Sequence, residues 1–312
     1  MGSHGHRTGS PMTDVATTAR SAKARQVITA VVSSRRRLSP SFARLTLVGG
    51  GLEQFEHKGF DQWFRLFLPH DGAGRMPVPV ADVDADFYQQ FLSSPEEERT
   101  WMRYVTVRSF RPTAVRGPEL DVDVVVHGQA GARAAGPLST WAQAAEPGDR
   151  VAIFDQGLIF RKELLGDELL LLGDETAVPA IAGILESLPA ATSGRVWLEV
   201  PGADDFQELT APLGMEVTWL ARADASPGSG LLAAFRARVT AGASFGAGHR
   251  ASLGTDPDGL DRSDPSEHPY LYAAGETAMI KSLNQLLLDE LRWPKGRMTT
   301  VGYWHFTAGG HA

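Results

Sequence analysis

An arginine, a tyrosine and a threonine lie close together in a segment of strand-like composition, Arg103-Tyr104-Val105-Thr106. Because side chains alternate across a strand, Arg103 and Val105 share one face while Tyr104 and Thr106 share the other. A guanidinium binds a diphosphate, an aromatic ring stacks on a planar heterocycle, and a hydroxyl bonds a ring heteroatom. The segment therefore meets the needs of a flavin nucleotide, although an ordinary amphipathic strand has the same pattern.

A second group of candidate residues begins a predicted helix further along the chain. Its members are Gly136, Pro137, Leu138, Ser139 and Thr140. A helix start offers backbone N–H groups to an anion, and a glycine permits close approach of the ligand. Behind the arginine strand, this pattern favours a seat for a diphosphate. The alternative is a capped helix that binds no ligand.

The composition excludes several classes of protein. The chain contains no cysteine, which excludes disulfides, iron–sulfur clusters, thiolate zinc sites and a cysteine nucleophile. Redox chemistry would therefore need an organic cofactor or a metal held without thiolates. The net charge of −7 disfavours nucleic-acid binding. The nine histidines have no metal-ligand spacing, so no protein-held metal is predicted.

Two patterns of apolar residues divide the 312 residues, which are enough for two domains. Short β-branched segments separated by turns fill residues 26–157 and predict an antiparallel β-barrel. We expect a turn at residues 33–40 of this barrel and an inserted helix at 83–102. In residues 158–312, apolar strand-length runs alternate with helical spacing, which predicts an α/β domain with a parallel sheet.

Two segments are set apart from these domains. Residues 1–25 are polar and lack the apolar core of a signal peptide, so we expect a disordered leader or tag. Residues 241–269 show no periodicity and are predicted to be a mobile insertion. No apolar run approaches the ~20 residues that span a bilayer. The sequence therefore predicts a cytoplasmic protein without stable membrane association.

Six segments, in order along the chain, resemble one known family. They are residues 39–47, 103–108, 121–128, 136–142, 173–180 and 275–278. With Gly302-Tyr303-Trp304 near the end, they are similar to the siderophore-interacting protein family of the ferredoxin-reductase superfamily. The Arg-x-x-Thr and Gly-x-x-Ser pair, at 103–106 and 136–139, resembles the flavin signatures of that superfamily.

The resemblance implies an FAD-binding β-barrel, an NAD(P)H-reductase-like α/β domain, and reduction of ferric siderophores by NAD(P)H with release of Fe(II). The cofactor-binding positions that it implies are Arg103, Tyr104, Val105, Thr106, Val126, His127, Gly136, Pro137, Leu138, Ser139, Thr140, Asp174, Glu175, Thr176, Ala177, Gly275 and Glu276. A hydrogen-bonded structural role is the alternative for His127. Residues 129–135 form a longer join than is usual in the family.

The turn Asp174-Glu175-Thr176 follows a run of four leucines and opens a helix, outside the carboxyl end of a predicted strand. Sheets of α/β proteins bind ligands at such edges. Two carboxylates would repel a diphosphate placed over them, so we expect the nicotinamide end near Thr176 and weak, selective binding. The alternative is that Thr176 only caps the helix.

Two further motifs are interpreted as loops. Gly228-Ser229-Gly230 resembles part of a dinucleotide fingerprint, but a loop separates it from the preceding strand. Ser244 lies in a Gly-x-Ser-x-Gly pattern that lacks the preceding strand of a nucleophile elbow. Asp264 and His268 nevertheless keep the order of a serine hydrolase available.

An anionic chelate needs local cations, because the whole chain is negative. The candidate substrate-binding residues are Lys281, Lys295, Arg297 and Trp304, with Arg65 on the barrel side as a further cation. No catalytic acid or nucleophile is expected for electron transfer to a metal, and we expect a monomer. Other functions stay open: a flavoprotein reductase of another acceptor, a protein that binds the siderophore without reducing it, and a serine hydrolase built on Ser244.

Overall fold

The computed structural model describes residues 27–68, 93, 101–115, 117–126, 136–166, 168–240 and 268–306. The expected leader 1–25, most of the helical insertion at 83–102, His127 and the stretch around Ser244 lie outside these residues. The prediction that the helical insertion extends to Met102 was wrong, because Trp101 and Met102 begin a strand. Within the described part, an antiparallel sheet is followed along the chain by a parallel one. The predicted fold class is therefore confirmed.

Seven strands form the antiparallel sheet. They are β1 (Val27–Ser39), β2 (Phe42–Val48), β3 (Trp63–Leu68), β4 (Trp101–Thr106), β5 (Ser109–Arg111), β6 (Glu119–Val125) and β7 (Arg150–Gly157). Their order across the sheet is β4-β3-β7-β1-β2-β6-β5. In the described residues the end strands β4 and β5 are not paired with each other, so the sheet is barrel-like but not closed. Helix α1 (Pro137–Ala144) packs against β2 and β6.

The first strand is longer than the sequence predicts. Residues 33–40 were expected to be a turn, but β1 continues through them to Ser39 and pairs with β2 as far as Ser39↔Phe42. The expectation was wrong because a register shift between Val32 and Ser34 breaks the apolar alternation. Beyond it the side chains of residues 35–37 are exposed arginines, which carry no period-two signal.

Five strands form the parallel sheet, in the order β10-β9-β8-β11-β12. They are β8 (Glu168–Gly173), β9 (Ser193–Val200), β10 (Gly214–Ala221), β11 (Tyr270–Glu276) and β12 (Met298–Trp304). The helices are α2 (Val178–Ser187), α3 (Ser229–Thr240) and α4 (Thr277–Gln285), which a π-helical turn over Leu286–Glu290 continues. The sequence analysis did not predict the short strand β5 or the edge strand β12.

The run of leucines in β8 explains why helices cover both faces of the parallel sheet. Leu169 and Leu171 lie in a buried cluster with residues of α2, while Leu170 and Leu172 lie in a cluster with residues of α3 and α4. A strand buried on both faces reads as a continuous apolar run. None of the helices in the described ranges is long and apolar enough to cross a membrane.

Buried polar contacts join the two sheets. The carboxylate of Asp205, after β9, accepts hydrogen bonds from the Ser39 hydroxyl at 2.6 Å and the Ser41 N–H at 2.8 Å. Asp61, before β3, accepts from the Tyr272 hydroxyl in β11 at 3.1 Å. Phe42 of β2 belongs to the same apolar cluster as α2. These contacts fix how β4 and α1 face the parallel sheet.

The glycine in the middle of α2 provides a test of this contact between the sheets. A Cβ atom at Gly183 would lie 2.3 Å from the Phe60 carbonyl oxygen. Replacing a helical glycine by alanine usually stabilises a helix by about 1 kcal/mol. Here we expect Gly183→Ala to lower the free energy of unfolding by roughly 1–3 kcal/mol, because overpacking outweighs the helix propensity.

Urea unfolding of Gly183→Ala measures this change, with the exposed α4 variant Ser282→Ala as the control. The control is expected to stay within about 0.5 kcal/mol of the unmodified protein. A gain of stability in Gly183→Ala would show that the two sheets are not in close contact at Phe60.

Candidate functional site

Arg103 of β4 lies in an unusual electrostatic setting. It is partly buried, and its Nη1 donates to the Met102 carbonyl oxygen at 2.9 Å. Burial lowers the pKa of its guanidinium, because desolvation disfavours the charged form. Among the described residues no carboxylate pairs with it. A desolvated cation without a counter-ion favours the binding of an anionic group.

Tyr104, the next residue of β4, presents its ring to solvent on the opposite face of the strand. Its side chain is 60% exposed, which is unusual for a large aromatic residue, and the Trp63 ring contacts it edge-on at a centroid distance of 5.3 Å. Thr106 is half-buried on the same face, whereas Val105 is buried in the core of the antiparallel sheet. Val105 therefore positions the strand, while its neighbours are available to a ligand.

The start of α1 is open to an anion. Gly136 is the N-cap residue, no side chain of the described residues caps the helix, and its first turn contains no carboxylate. A Cβ atom at Gly136 would meet nothing within 4 Å. Trp141 of α1 and Val105 of β4 belong to one buried cluster, so the core that supports the arginine strand also supports this helix.

At the carboxyl edge of the parallel sheet, Asp174 joins three strands. Its fully buried carboxylate accepts from the Thr176 N–H at 2.9 Å, the Glu276 N–H at 2.6 Å and the Trp304 Nε1–H at 2.8 Å. This approach requires glycine at position 275, where φ is +148° and a Cβ would lie 2.6 Å from Asp174 Oδ2. Asp174 thus fixes the turn after β8 and the indole of Trp304.

The carboxylate beside it is neutralised from a neighbouring strand. Glu175 is fully buried and forms a bidentate ion pair with Arg222, at 2.7 and 2.8 Å. Arg222, at the end of β10, also lies 3.5 Å from Glu199. The prediction that this turn would repel a diphosphate is therefore wrong. Both carboxylates point inward and are paired with hydrogen-bond donors of the chain. Neither Asp174 nor Glu175 presents a free charge to a ligand.

Side-chain carboxylates occupy the starts of three helical segments at this edge. Asp174 accepts from Thr176 N–H, Glu276 accepts from Met279 N–H at 2.8 Å, and Glu199 accepts from the Gly228 and Leu231 N–H groups at 2.6 and 2.9 Å. Such N–H groups otherwise bind phosphate. In contrast, no carboxylate of the described residues occupies the start of α1.

A cavity of about 180 Å³ opens at the same edge. Its lining comprises Glu175, Arg222, Asp224, Ala225, Ser226, Pro227, Trp304 and Phe306. The Gly228 motif follows this loop and begins α3 at Ser229, which confirms its interpretation as a loop and helix start. The cavity therefore lies outside the carboxyl ends of β8, β10 and β12, where α/β sheets bind ligands.

The remaining predicted residues divide between the core, the site and the opposite edge. Val126 and Ala177 are buried in apolar clusters, so their side chains support the fold. Lys281 is exposed one turn into α4. Lys295 and Arg297 precede β12, whereas Trp304 ends it, and a seven-residue strand spans about 20 Å. Grouping these two cations with Trp304 was therefore wrong.

Sequence analysis missed three groups that shape the edge: Arg222, Glu199 and Asp224. Arg222 follows β10 and Glu199 lies within β9, so only the parallel order of β8, β9 and β10 brings them to Glu175. The available signal was the carboxyl end of each predicted strand, since such ends meet at one edge of a parallel sheet.

Burial, and next the Glu175 carboxylate, raise the pKa of Asp174 to about 7. The folded state then keeps a proton that the unfolded chain releases, so this contribution to stability is complete below about pH 4 and lost as pH rises through about 7. We expect the free energy of unfolding to fall by up to about 1.4 kcal/mol per pH unit in this window.

Urea unfolding between pH 5 and 8 measures this slope. Asp61, whose pKa burial raises, adds to it, while His57, whose pKa burial lowers, opposes it. Asp174→Asn is expected to be less stable at every pH but to show a flatter slope than the unmodified protein. Equal slopes in the two proteins would show that Asp174 does not titrate in this range.

The chain has a ferredoxin-reductase-like fold, in which an antiparallel, barrel-like sheet is followed by a parallel α/β sheet. A candidate anion seat lies on the first sheet, and a cavity lies at the edge of the second. Residues 31–158 match the family model "Siderophore-interacting FAD-binding domain", and residues 166–307 match "Siderophore-interacting protein". The chain belongs to the siderophore-interacting protein family.

Individual relatives agree with this assignment. An uncharacterized protein of Mycobacterium tuberculosis is 36% identical over 194 residues, 61% of this chain and 64% of the relative, so the match spans less than two thirds of that protein. Ferric vibriobactin reductase ViuB of Vibrio cholerae is 26% identical over 270 residues, 86% of each chain. The NADPH-dependent ferric-chelate reductase of Escherichia coli is 25% identical over 273 residues, 86% of this chain and 89% of the relative.

A solved structure has the same fold. The crystal structure of a siderophore utilization protein from T. fusca superposes with a TM-score of 0.67 at 28% identity. The match covers 91% of this chain and 95% of that protein, so it includes both sheets.

Proposed function

We propose that the chain is an FAD-dependent reductase that moves electrons from a nicotinamide dinucleotide to the iron of a ferric siderophore. The observation that carries the proposal is Arg103, a partly desolvated cation that precedes an exposed tyrosine in β4 and has no carboxylate partner among the described residues. The match to an FAD-binding domain and the reductase names of two relatives support it.

FAD fits the residues that the antiparallel sheet presents. Arg103 and the uncapped start of α1 would hold the diphosphate, since both offer positive charge to an anion. Tyr104 offers an exposed ring for stacking, and Thr106 offers a hydroxyl. When bound, FAD would accept a hydride and release electrons singly, which a nicotinamide alone does not do.

The residues at the parallel edge would orient the electron donor. Asp174 holds the Trp304 indole and the Thr176 hydroxyl in fixed positions beside the cavity, so the aromatic wall is set before a dinucleotide binds. No residue needs to act as nucleophile or general acid, because the acceptor is a metal ion. The chain's contribution is to bind, orient and exclude water.

The substrate chemistry explains why electron transfer would release iron. Siderophores hold Fe(III) with hard oxygen donors, which bind the less charged Fe(II) much more weakly. A single electron delivered to the iron therefore weakens its coordination, so that the iron is released without cleavage of any covalent bond of the siderophore. We place the reaction in the cytoplasm, where reduced nicotinamides are made.

The cation best placed for an anionic chelate is Arg65. It is the register partner of Tyr104 across the β3–β4 pair, so its side chain lies on the same face as the exposed ring. Lys281 is a second candidate on α4. Lys295 and Arg297 lie at the other edge of the parallel sheet and are less suited to this role.

The test is steady-state reduction of several ferric siderophores by the FAD-loaded chain, with Fe(II) trapped by a coloured chelator. We expect Fe(II) to form in proportion to the NADH or NADPH consumed, and no Fe(II) without the donor. Chelate binding without Fe(II) formation under either donor would instead support a binding protein. Reduction of small acceptors but of no ferric siderophore would support a reductase with another substrate.

A further inference from the structure

The end of the cavity next to Asp224 is poorly suited to a phosphate group. The lining of the cavity contains two carboxylates, Glu175 and Asp224, and one guanidinium, that of Arg222. Because Arg222 is already paired with Glu175, the described residues of the lining offer no further cation to balance an added phosphate. A phosphate placed there would face the Asp224 carboxylate, and like charges in contact are unfavourable.

The helix start next to the cavity is also occupied. Pro227 lines the cavity and precedes α3, whose first N–H groups are a potential phosphate seat. The buried Glu199 carboxylate accepts from the Gly228 and Leu231 N–H groups, at 2.6 and 2.9 Å. Both features that usually bind phosphate, an arginine and a helix N-terminus, are therefore satisfied by side chains of this chain.

The turn that carries Asp224 is held in a specific conformation. Ala223 has a φ of +51°, a left-handed conformation that is unfavourable for a residue with a Cβ. Two hydrogen bonds to the end of β9 hold it: Arg222 N–H to the Val200 carbonyl at 2.8 Å and Ala223 N–H to the Pro201 carbonyl at 3.0 Å. This turn buries Arg222 and leaves Asp224 exposed at the cavity.

The position of Asp224 in the sheet indicates which part of a dinucleotide it meets. The nicotinamide has to reach the flavin, so it belongs near Thr176 and Trp304, at the ends of β8 and β12. Asp224 follows β10, the edge strand two positions from β8 and about 10 Å away. A cavity of about 180 Å³ holds only part of such a ligand. The part of the dinucleotide that lies away from the nicotinamide, and that would reach Asp224, is the adenosine.

We infer that Asp224 binds the ribose hydroxyls of the adenosine half, so that the chain selects a dinucleotide with a free 2′-hydroxyl and uses NADH in preference to NADPH. A carboxylate accepts hydrogen bonds from ribose hydroxyls and repels a 2′-phosphate. The inference rests on the proposed function, and it sets this chain apart from the Escherichia coli relative, whose name specifies NADPH.

The test compares two fragments that differ only in the 2′-phosphate, AMP and adenosine 2′,5′-bisphosphate. Isothermal titration with the FAD-loaded chain measures their binding without any redox reaction. We expect AMP to bind at least about tenfold more tightly, and Asp224→Asn to reduce this ratio several-fold. The matched control is Asp204→Asn, which removes the same charge from an exposed position after β9 that does not line the cavity.

Steady-state kinetics with NADH and NADPH supply the second readout. The ratio of kcat/KM values should favour NADH, fall in Asp224→Asn and stay unchanged in Asp204→Asn. Equal or tighter binding of the bisphosphate by the unmodified chain would overturn the inference, as would a fragment ratio that Asp224→Asn leaves unchanged. If NADPH reduces the flavin better than NADH, the specificity inference fails while the reductase function stands. If neither donor reduces the flavin, the proposed function fails.

Discussion

Arg103→Ala is expected to weaken FAD binding roughly ten- to hundredfold. A charge-assisted hydrogen bond to a phosphate contributes about 1.5–3 kcal/mol, which corresponds to this range. The effect should be large because Arg103 is the cation of β4 that no described carboxylate neutralises, so its charge is available to the cofactor. Equilibrium dialysis of the variant, followed by the flavin absorbance of the retained protein, measures the loss.

The control is Arg150→Ala, which removes an exposed arginine from β7 of the same sheet. It should retain FAD like the unmodified protein. Arg103→Lys should give an intermediate affinity, because lysine keeps the charge but loses the forked geometry. Full flavin occupancy in Arg103→Ala would show that the diphosphate is held elsewhere.

Arg222→Ala is expected to lower the free energy of unfolding by about 3–5 kcal/mol. The substitution leaves Glu175 without its bidentate partner and Glu199 without its nearby cation, and both carboxylates are fully buried. Breaking a buried ion pair from one side has this cost because the remaining charge is not solvated. Urea unfolding of the variant and of the unmodified protein at one pH measures it.

Two further variants separate the charge effect from a loss of packing. Arg236→Ala removes an arginine of α3 from its exposed pair with Glu290 and should change the stability much less than Arg222→Ala does. Adding Glu175→Gln to Arg222→Ala removes one of the unpaired charges and should restore part of the lost stability. A loss in the double variant equal to that in Arg222→Ala would contradict the electrostatic explanation.

The alternation of residue types was sufficient to predict the elements that carry the site. The leucine run of β8 predicts a strand buried on both faces, and the structure places it in the centre of the parallel sheet. The Arg103 segment predicts a strand, and it forms β4. Local patterns suffice here because a strand with one or two buried faces imposes its own periodicity.

The charges at the parallel edge could not be predicted, because their partners come from other strands. Asp174 and Glu175 are adjacent in sequence and look like an exposed acidic turn. Their partners, Trp304 and Arg222, lie on β12 and after β10, and only the sheet order brings them together. A sequence gives the charge of a side chain but not the direction in which the chain turns it.

The predicted role of Lys295 and Arg297 at the Trp304 site was wrong for a related reason. They were predicted to share a substrate site with Trp304, but β12 lies between them and carries Trp304 to the opposite edge. This strand was not predicted because its threonines and glycine give it no clear alternation of buried residues. Direction along a strand is therefore as important for a site as the strand itself.

The measurement that tests the proposed reductase most directly is anaerobic stopped-flow reoxidation of the reduced, FAD-loaded chain by a ferric siderophore. The matched gallium(III) complex is the control, since it has a similar size and charge but cannot accept an electron under these conditions. The account predicts that the ferric complex restores the flavin absorbance, at a rate that increases with the concentration of that complex. With the gallium complex the flavin should stay bleached. Flavin that stays reduced in the presence of every ferric siderophore tested would contradict it.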